Sequence, residues 1–319
     1  MANRNTPQWT AARIPSQAGR RVLITGANSG IGFETALELA RNGAEIILPA
    51  RTLEKAGDAR SRILRQLPGA AIHPAVLDLA SQASVRAFAA WLGERFPGPS
   101  LDLLIHNAGV MAVPTRELTV DGFERQFATN FLGPFALTAL VYRHLRQQAG
   151  TRIVVVSSSA TKWARIDFDN LQSERYYKPM AQAYGQSKLA DSLFALELEK
   201  RLRAAGSPVL VAAAHPGYAV TNLQTSGPGE GSLPFRLLSL LLQPIASQDA
   251  HHGALPTLYA ATDPAAKPGG YYGPDRFFEL KGYPVAVPIP ARARDAAAAG
   301  RLWSEAERLT GVAFDLTRA

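Results

Sequence analysis

The 319-residue chain contains no cysteine. Disulfide frameworks, thiolate nucleophiles, thiolate-held metals and prenyl or palmitoyl anchors are therefore excluded. Charge is also sparse, at 19% of residues against 47% hydrophobic. A chain so poor in charge and so rich in core-forming side chains folds into a globule rather than remaining disordered. Long apolar runs are missing as well. The most apolar stretch, LPFRLLSLLLQPI at 233–245, is broken by Arg236 and Pro244 and falls short of the roughly 20 residues that span a bilayer. Residues 1–19 hold no apolar run of the kind a signal peptide needs, so a cytoplasmic protein is expected. The six histidines show neither a His-x-x-x-His spacing nor bracketing carboxylates, and no metal site is expected. The net charge of +8 is carried by arginines scattered singly along the chain, with no motif of a nucleic-acid-binding fold. Nucleic acid is accordingly not an expected partner.

What the sequence does contain is an alternation of short Val/Ile/Leu runs with helical patterns. Strands are predicted at Arg21–Thr25, Glu45–Ala50, Ala71–Leu77, Leu101–His106, Arg152–Ser157 and Pro208–Ala214. Continuous apolar runs suit parallel strands covered on both faces. Helices are predicted at Ile31–Asn42, Leu53–Gln66, Ser84–Phe96, Gly122–Gln148 and Ala183–Ala205, with another near Gln248–Ala261. The alternation predicts a Rossmann-type, doubly wound α/β sheet of about seven strands in a single domain. The expected organisation is an N-terminal arm at 1–19 and one domain at 20–319. That domain carries a substrate-loop region at 219–250, a Gly/Pro-rich tail with Gly269, Gly270, Gly273 and Pro274, and a C-terminal extension at 282–319.

Between the first strand and the first helix stands TGANSGIG, residues 25–32, with Gly26, Gly30 and Gly32. Glycine lets a backbone turn sharply and approach a pyrophosphate, which then rests on the amides of a helix N-terminus. Asn28, Ser29 and Ile31 lie within the same turn. No Gly-Lys-Ser/Thr follows, which excludes a P-loop. At the end of the second strand, Pro49-Ala50-Arg51 offers no carboxylate for a ribose hydroxyl. Arg51 can pair with a 2′-phosphate, so NADP(H) is expected over NAD(H).

Tyr184 and Lys188 form Y-x-x-x-K in a helical stretch and project from one face. An ammonium about 4 Å from a phenol contributes roughly 4 kcal/mol at an effective dielectric near 20, up to about three pKa units. That brings tyrosine within range of proton transfer to a carbonyl or from an alcohol. Ser158 ends the fifth predicted strand, where a hydroxyl can meet a bound ligand. Ser157 and Ser159 remain alternatives, although alternation turns residue 157 to the other face. Asn130 precedes Pro134 by four residues. The proline lacks the N–H that would bond the carbonyl of residue 130, which leaves either a carbonyl able to hold a water or a simple packing kink.

In order and spacing these motifs resemble the short-chain dehydrogenase/reductase family: TGANSGIG, Asp78-Leu79, Asn107-Ala108-Gly109, Asn130, Ser158, Tyr184, Lys188, and Pro216-Gly217 leading to Thr221. Finer detail, including PAR at 49–51, TNFLGPFALT and HPGYAVTNL, resembles its branch of retinol dehydrogenase-like and protochlorophyllide reductase-like bacterial oxidoreductases. The resemblance implies that Tyr184 is the general acid/base, that Lys188 lowers its pKa and holds the nicotinamide ribose, and that Ser158 orients the reacting oxygen. It also implies that Asn130 holds a relay water through its main chain. By the same resemblance, Asp78 and Leu79 contact adenine, Asn107 to Gly109 pack along the cofactor, and Pro216 to Thr221 cover the carboxamide. The activity it implies is NADP(H)-dependent hydride transfer to a carbonyl, or from an alcohol, of a lipophilic small molecule. A non-catalytic dinucleotide-binding regulator or scaffold on the same fold is the competing expectation. The 233–245 segment is read either as a pocket lid or as a weak membrane-surface contact, and assembly as a homo-oligomer stays open. The aromatic segment at 159–183, with Trp163, Phe168, Tyr176 and Tyr177, either lines the pocket or packs upon itself.

Overall fold

The computed structural model describes residues 8–219 and 247–316. Among the described residues, eight strands form one sheet in the order β3-β2-β1-β4-β5-β6-β7-β8. They are β1 Arg21–Ile24, β2 Glu45–Ala50, β3 Ile72–Val76, β4 Leu103–His106, β5 Arg152–Val156, β6 Leu210–Ala214, β7 Tyr271–Arg276 and β8 Lys281–Ala286. Pairing is parallel from β3 to β7, and only β7 and β8 run antiparallel. The order reverses between β1 and β4, the crevice in which open α/β sheets bind ligands.

The period of two along each strand explains why the runs are apolar throughout. Leu23, Ile47, Leu104, Ile153 and Val211 belong to one hydrophobic core, whereas Val22, Ile46, Leu103, Val154 and Ala212 belong to the other. Each face then needs its own layer of helices. α3 (Gln82–Arg95), α5 (Gly133–Val141), α6 (Gly185–Ala204) and α8 (Ala296–Thr310) cover the first. α1 (Gly30–Arg41), α2 (Leu53–Gln66) and α7 (Ala250–Thr262) cover the second.

The structure refines or corrects four expectations. The sheet has eight strands rather than about seven, because the Gly/Pro-rich tail forms the β7–β8 pair. Tyr271 and Tyr272 are buried there, and their aromatic area outweighs the weak strand propensity of Gly273 and Pro274. Secondly, a C-terminal boundary at 282 falls inside β8, and the following segment is no appendage. Trp303 of α8 is buried against Phe135 and Phe314, with ring centroids 5.1 and 5.2 Å away. Thirdly, the arm is docked where it is described: Trp9 is buried, its indole donates to Asp263 at 2.6 Å, and its ring meets Tyr259 edge-on.

The fourth correction is the helix expected at 122–148. It breaks into a short turn α4 (Arg125–Phe127), a π-helical turn (Ala128–Leu132), α5 and a final 3-10 turn (Tyr142–His144). In the π turn Gly133 N–H bonds back to the Ala128 carbonyl. Pro134 has no N–H and its ring crowds the carbonyl four residues earlier, so the wider turn relieves the conflict where an ordinary α-turn would not. A second π turn, Pro179–Tyr184, leads into α6.

Candidate active site

The carboxyl ends of β1, β2 and β4 border a cleft of about 920 Å³ that includes Gly26, Asn28 to Gly32, Arg51, Asp78, Leu79 and Asn107 to Gly109. The turn after β1 owes its shape to two glycines. Gly26 has φ +69, and a Cβ there would lie 2.7 Å from the Ala108 Cα. Gly32, in the first turn of α1, has no room for a Cβ, which would overlap the Asn107 amide and the Gly26 carbonyl. Ser29 caps α1 from an extended conformation and makes no side-chain cap bond, which leaves the first amides of the helix for an anion. A backbone this bare and this closely approached fits a dinucleotide's pyrophosphate.

Thr25 and Asn107 lock that turn to β4. The Thr25 hydroxyl accepts from the amides of Asn107 and Ala108, both at 3.1 Å. The Asn107 side chain donates to the carbonyls of Thr25 and Gly26 at 3.1 and 3.3 Å. Asn107 thus shapes the cradle through its amide. Thr25 was not singled out from sequence, although its place between strand and glycine was the available signal. Arg51 and Lys55 flank the cleft beyond β2, both exposed. Asp78 is braced by the Ser84 hydroxyl at its amide and by Ala80 N–H at its carboxylate, each at 2.9 Å. Leu79 is buried and packs on Gly133.

Ser158, Tyr184 and Lys188 do not border this cleft. Of the three, Lys188 comes close to the cleft at Gly109, where a Cβ would lie 3.2 Å from Asn130 Oδ1 and 3.5 Å from Lys188 Nζ. Asn130, buried in the first π turn, accepts from Val110 N–H at 2.8 Å and donates to the Val110 carbonyl and the Ser187 hydroxyl at 3.0 and 2.8 Å. Ser187 in turn donates to the Tyr184 carbonyl at 2.8 Å. The amide of Asn130 therefore spans from the end of β4 to α6, beyond what its main chain alone was expected to supply.

Tyr184 ends the second π turn and is buried. Lys188 is fully enclosed, and its ammonium donates to the Val156 carbonyl at 3.0 Å and to Asp191 at 2.9 Å. Burial alone would push the Lys188 pKa down, but the Asp191 and Tyr184 oxygens reverse this and hold it above the ordinary lysine value. Burial pushes the Asp191 carboxyl up, to about 7, against the pull of Lys188. Asp191 had no place in the sequence reading, since i, i+3 Lys/Asp pairs commonly sit on solvated helix faces.

Among the three serines, Ser157 is committed elsewhere: its hydroxyl bonds the Lys188 carbonyl and Ser192 at 2.9 and 2.8 Å. Ser158 caps the 3-10 turn Ser159–Lys162, accepting from Ala160 N–H at 3.2 Å, and is only partly buried. In the 159–183 segment, Trp163 and Tyr176 are about half exposed. Tyr177 instead braces the cleft wall, donating to the Val113 carbonyl at 2.5 Å and accepting from Gln126.

Pro216 and Gly217 follow β6 and are tied to the β7–β8 hairpin. Gln248 donates to the Pro216 carbonyl, and Tyr218 N–H to that of Leu280, both at 2.7 Å. Gly217 has φ +66 and presses its Cα side on the Leu280 carbonyl. Thr221 and the 233–245 segment lie outside the described residues, as does most of the expected 219–250 loop.

Comparison with known proteins agrees with this arrangement. A family model described as short chain dehydrogenase matches residues 20–228. Human retinol dehydrogenase 13 is 41% identical over 311 residues, covering 95% of this chain and 89% of that protein. A crystal structure of an uncharacterized protein from Mycobacterium paratuberculosis superposes with a TM-score of 0.78 at 41% identity, covering 97% of this chain and 99% of the other. A short chain dehydrogenase from Burkholderia cenocepacia in complex with NADP shares the fold at a TM-score of 0.61 and 23% identity, over 80% of this chain and 96% of that one.

Proposed function

The chain belongs to the short-chain dehydrogenase family and is an oxidoreductase acting on CH–OH groups, and from that premise we propose that it interconverts a lipophilic alcohol and its carbonyl with NADP(H), using Tyr184 as the proton carrier. When bound, the nicotinamide would supply or accept the hydride. The glycine cradle after β1 fits the pyrophosphate, and Arg51, with no acidic residue beside it at the end of β2, favours a 2′-phosphate.

The observation that carries the reading is the buried ammonium of Lys188, electrostatically coupled to Tyr184 and reached from the cleft at Gly109. In reduction, Tyr184 Oη gives its proton to the carbonyl oxygen as the carbon gains the hydride; in oxidation the phenolate takes the proton back. Lys188 stabilises that phenolate. Ser158, with its hydroxyl hydrogen free to turn toward a ligand, holds the reacting oxygen. Asn130 fixes α6 against the end of β4, keeping the tyrosine in line with the cleft. The lipophilic substrate class is supported by Met111, Val113, Pro114 and Leu118 along the cleft and by the retinol dehydrogenase relative.

The test is turnover of a panel of retinoid-like aldehydes, ketones and alcohols with each dinucleotide, for the native chain and Tyr184→Phe. The substitution is expected to lower kcat by about 10²-fold or more while leaving dinucleotide affinity intact. Full turnover by Tyr184→Phe would refute the assignment. Tight dinucleotide binding without turnover of any substrate would favour a non-catalytic role.

A further inference from the structure

Asp191 is an ionisable group that the proposed mechanism does not use. It lies one helical turn beyond Lys188 on α6, is 1% exposed, and holds the Lys188 ammonium at 2.9 Å through Oδ2. Its other oxygen, Oδ1, is buried and has no hydrogen-bond partner among the described residues. A carboxylate with one orphaned oxygen is costly to enclose. A neutral amide would offer the same acceptor to Lys188 without a buried charge, so the negative charge itself calls for an explanation.

We propose that Asp191 is a positioning residue that draws the Lys188 ammonium back against the Val156 carbonyl and offsets its charge at Tyr184. The inference rests on the reading of Tyr184 as the proton carrier. Among the described residues, the charges that act on Lys188 are Asp191 and Tyr184, and the charge that acts most strongly on Asp191 is Lys188. The ionisable groups on the neighbouring elements are engaged elsewhere or exposed. Lys162 pairs with Glu279, Arg152 of β5 donates to the carbonyls of Ala260 and Asp263, and Arg125 of α4 pairs with Glu117. Arg292 donates to the carbonyls of Trp163 and Ala164, and Arg294 is exposed. On α8, Arg308 pairs with Glu305, Glu307 accepts from Phe314 N–H, and Arg301 stacks on Phe168. Tyr271 of β7, reached through Ser157 and Ser192, is kept protonated by burial, which pushes it up to about 12.

The sign and size follow from charge and distance. Seven helical residues separate Tyr184 from Asp191, about 10 Å along the axis, and a unit charge at that range and an effective dielectric near 20 moves a pKa by on the order of one unit. Asp191→Asn keeps an acceptor for Lys188 and removes the charge, so Tyr184 becomes more acidic. The experiment is a pH titration of Tyr184 Cζ by NMR on isotope-labelled protein, with Tyr184→Phe assigning the signal, alongside the pH profile of kcat/KM. The expected result in Asp191→Asn is a downward displacement of the Tyr184 titration by about one unit, tenfold in its ionisation constant, with the matching limb of the rate profile displaced equally. An unmoved or raised Tyr184 pKa in Asp191→Asn would overturn the proposal. The NMR titration needs no turnover, so failure of the oxidoreductase reading shows separately, in the absence of a rate profile. If Asp191→Asn does not fold, Asp191→Ser carries the same test: it also removes the charge, the same downward displacement is expected, and an unmoved titration would again overturn the proposal.

Discussion

Gly32→Ala is the sharpest test of how the nucleotide cradle is built. The added methyl would meet the Asn107 amide nitrogen and the Gly26 carbonyl oxygen at once, and would come within 2.9 Å of the Gly26 carbonyl carbon. To admit it, α1 must move away from β4, and the two bonds that Asn107 gives to Thr25 and Gly26 must stretch or break. Two such bonds are worth about 1 kcal/mol each and overpacking costs about 1–3 kcal/mol, while the better helix propensity of alanine returns about 1 kcal/mol. The net expectation is a loss of about 3 kcal/mol. For 319 residues, at about 2.1 cal/mol/K per residue, that is a fall in Tm of about 4 °C. Dinucleotide affinity should fall by about tenfold or more, because the amides that face the pyrophosphate move with α1. Gly57→Ala is the matched control. Gly57 sits within α2 with nothing near its missing Cβ, so the same change there should stabilise by roughly 0.5–1 kcal/mol. Thermal melts and calorimetric titration with NADPH measure both effects. A Gly32→Ala protein that melts and binds like the native one would refute the account of the turn.

Two further outcomes are expected. Arg51→Ala should weaken NADPH by about 10- to 100-fold, the range of a charge-assisted phosphate contact, and leave NADH nearly unchanged; equal losses on calorimetric titration would remove the 2′-phosphate from the argument. His106 is fully buried, bonded to Thr138 at 2.7 Å, and desolvation lowers its pKa from 6.5 to about 3. The unfolded chain therefore takes up a proton that the native state refuses, so this contribution to stability is intact above pH 6.5 and is lost as pH falls toward 3. Between pH 7 and pH 5 the loss is about 2 kcal/mol, and urea unfolding of His106→Gln should lack that increment of pH dependence.

The parallel part of the sheet was legible because strands covered on both faces are written as unbroken apolar runs: RVLI, EIILPA and RIVVV appear as β1, β2 and β5 almost to the residue. β7 and β8 were not, because YYGPDR and KGYPVA read locally as turn. What makes them strands is long-range: Tyr272 is buried against Tyr259 of α7, and Tyr271 on the other face beside Thr161 and the Ser158 carbonyl. α8 carried a usable signal that went unread: Asp295 as its cap, buried Leu302, Trp303, Ala306 and Thr310 on one face, and Gly311 in the left-handed conformation at its end. The Y-x-x-x-K spacing drew attention to Tyr184 and Lys188 only in company with the other motifs, and the structure buries both. The π turns that deliver Asn130 and Tyr184 were not legible, since a widened turn answers to a steric conflict at Pro134 and to packing on neighbouring elements. Asp191 escaped for a related reason, that burial of a charged pair depends on what the rest of the fold lays over it.

The outer strands of the sheet each carry a proline, Pro74 as the third of five residues in β3 and Pro284 as the fourth of six in β8. Each proline takes one N–H out of the row of donors that an incoming strand would need. The sheet is thus blunted at both margins, and a further β-strand, from a ligand peptide or from a second copy, finds an interrupted template on either side. Edge-to-edge pairing of two such sheets is thereby disfavoured, and the outer strands carry in their own sequence a guard against aggregation.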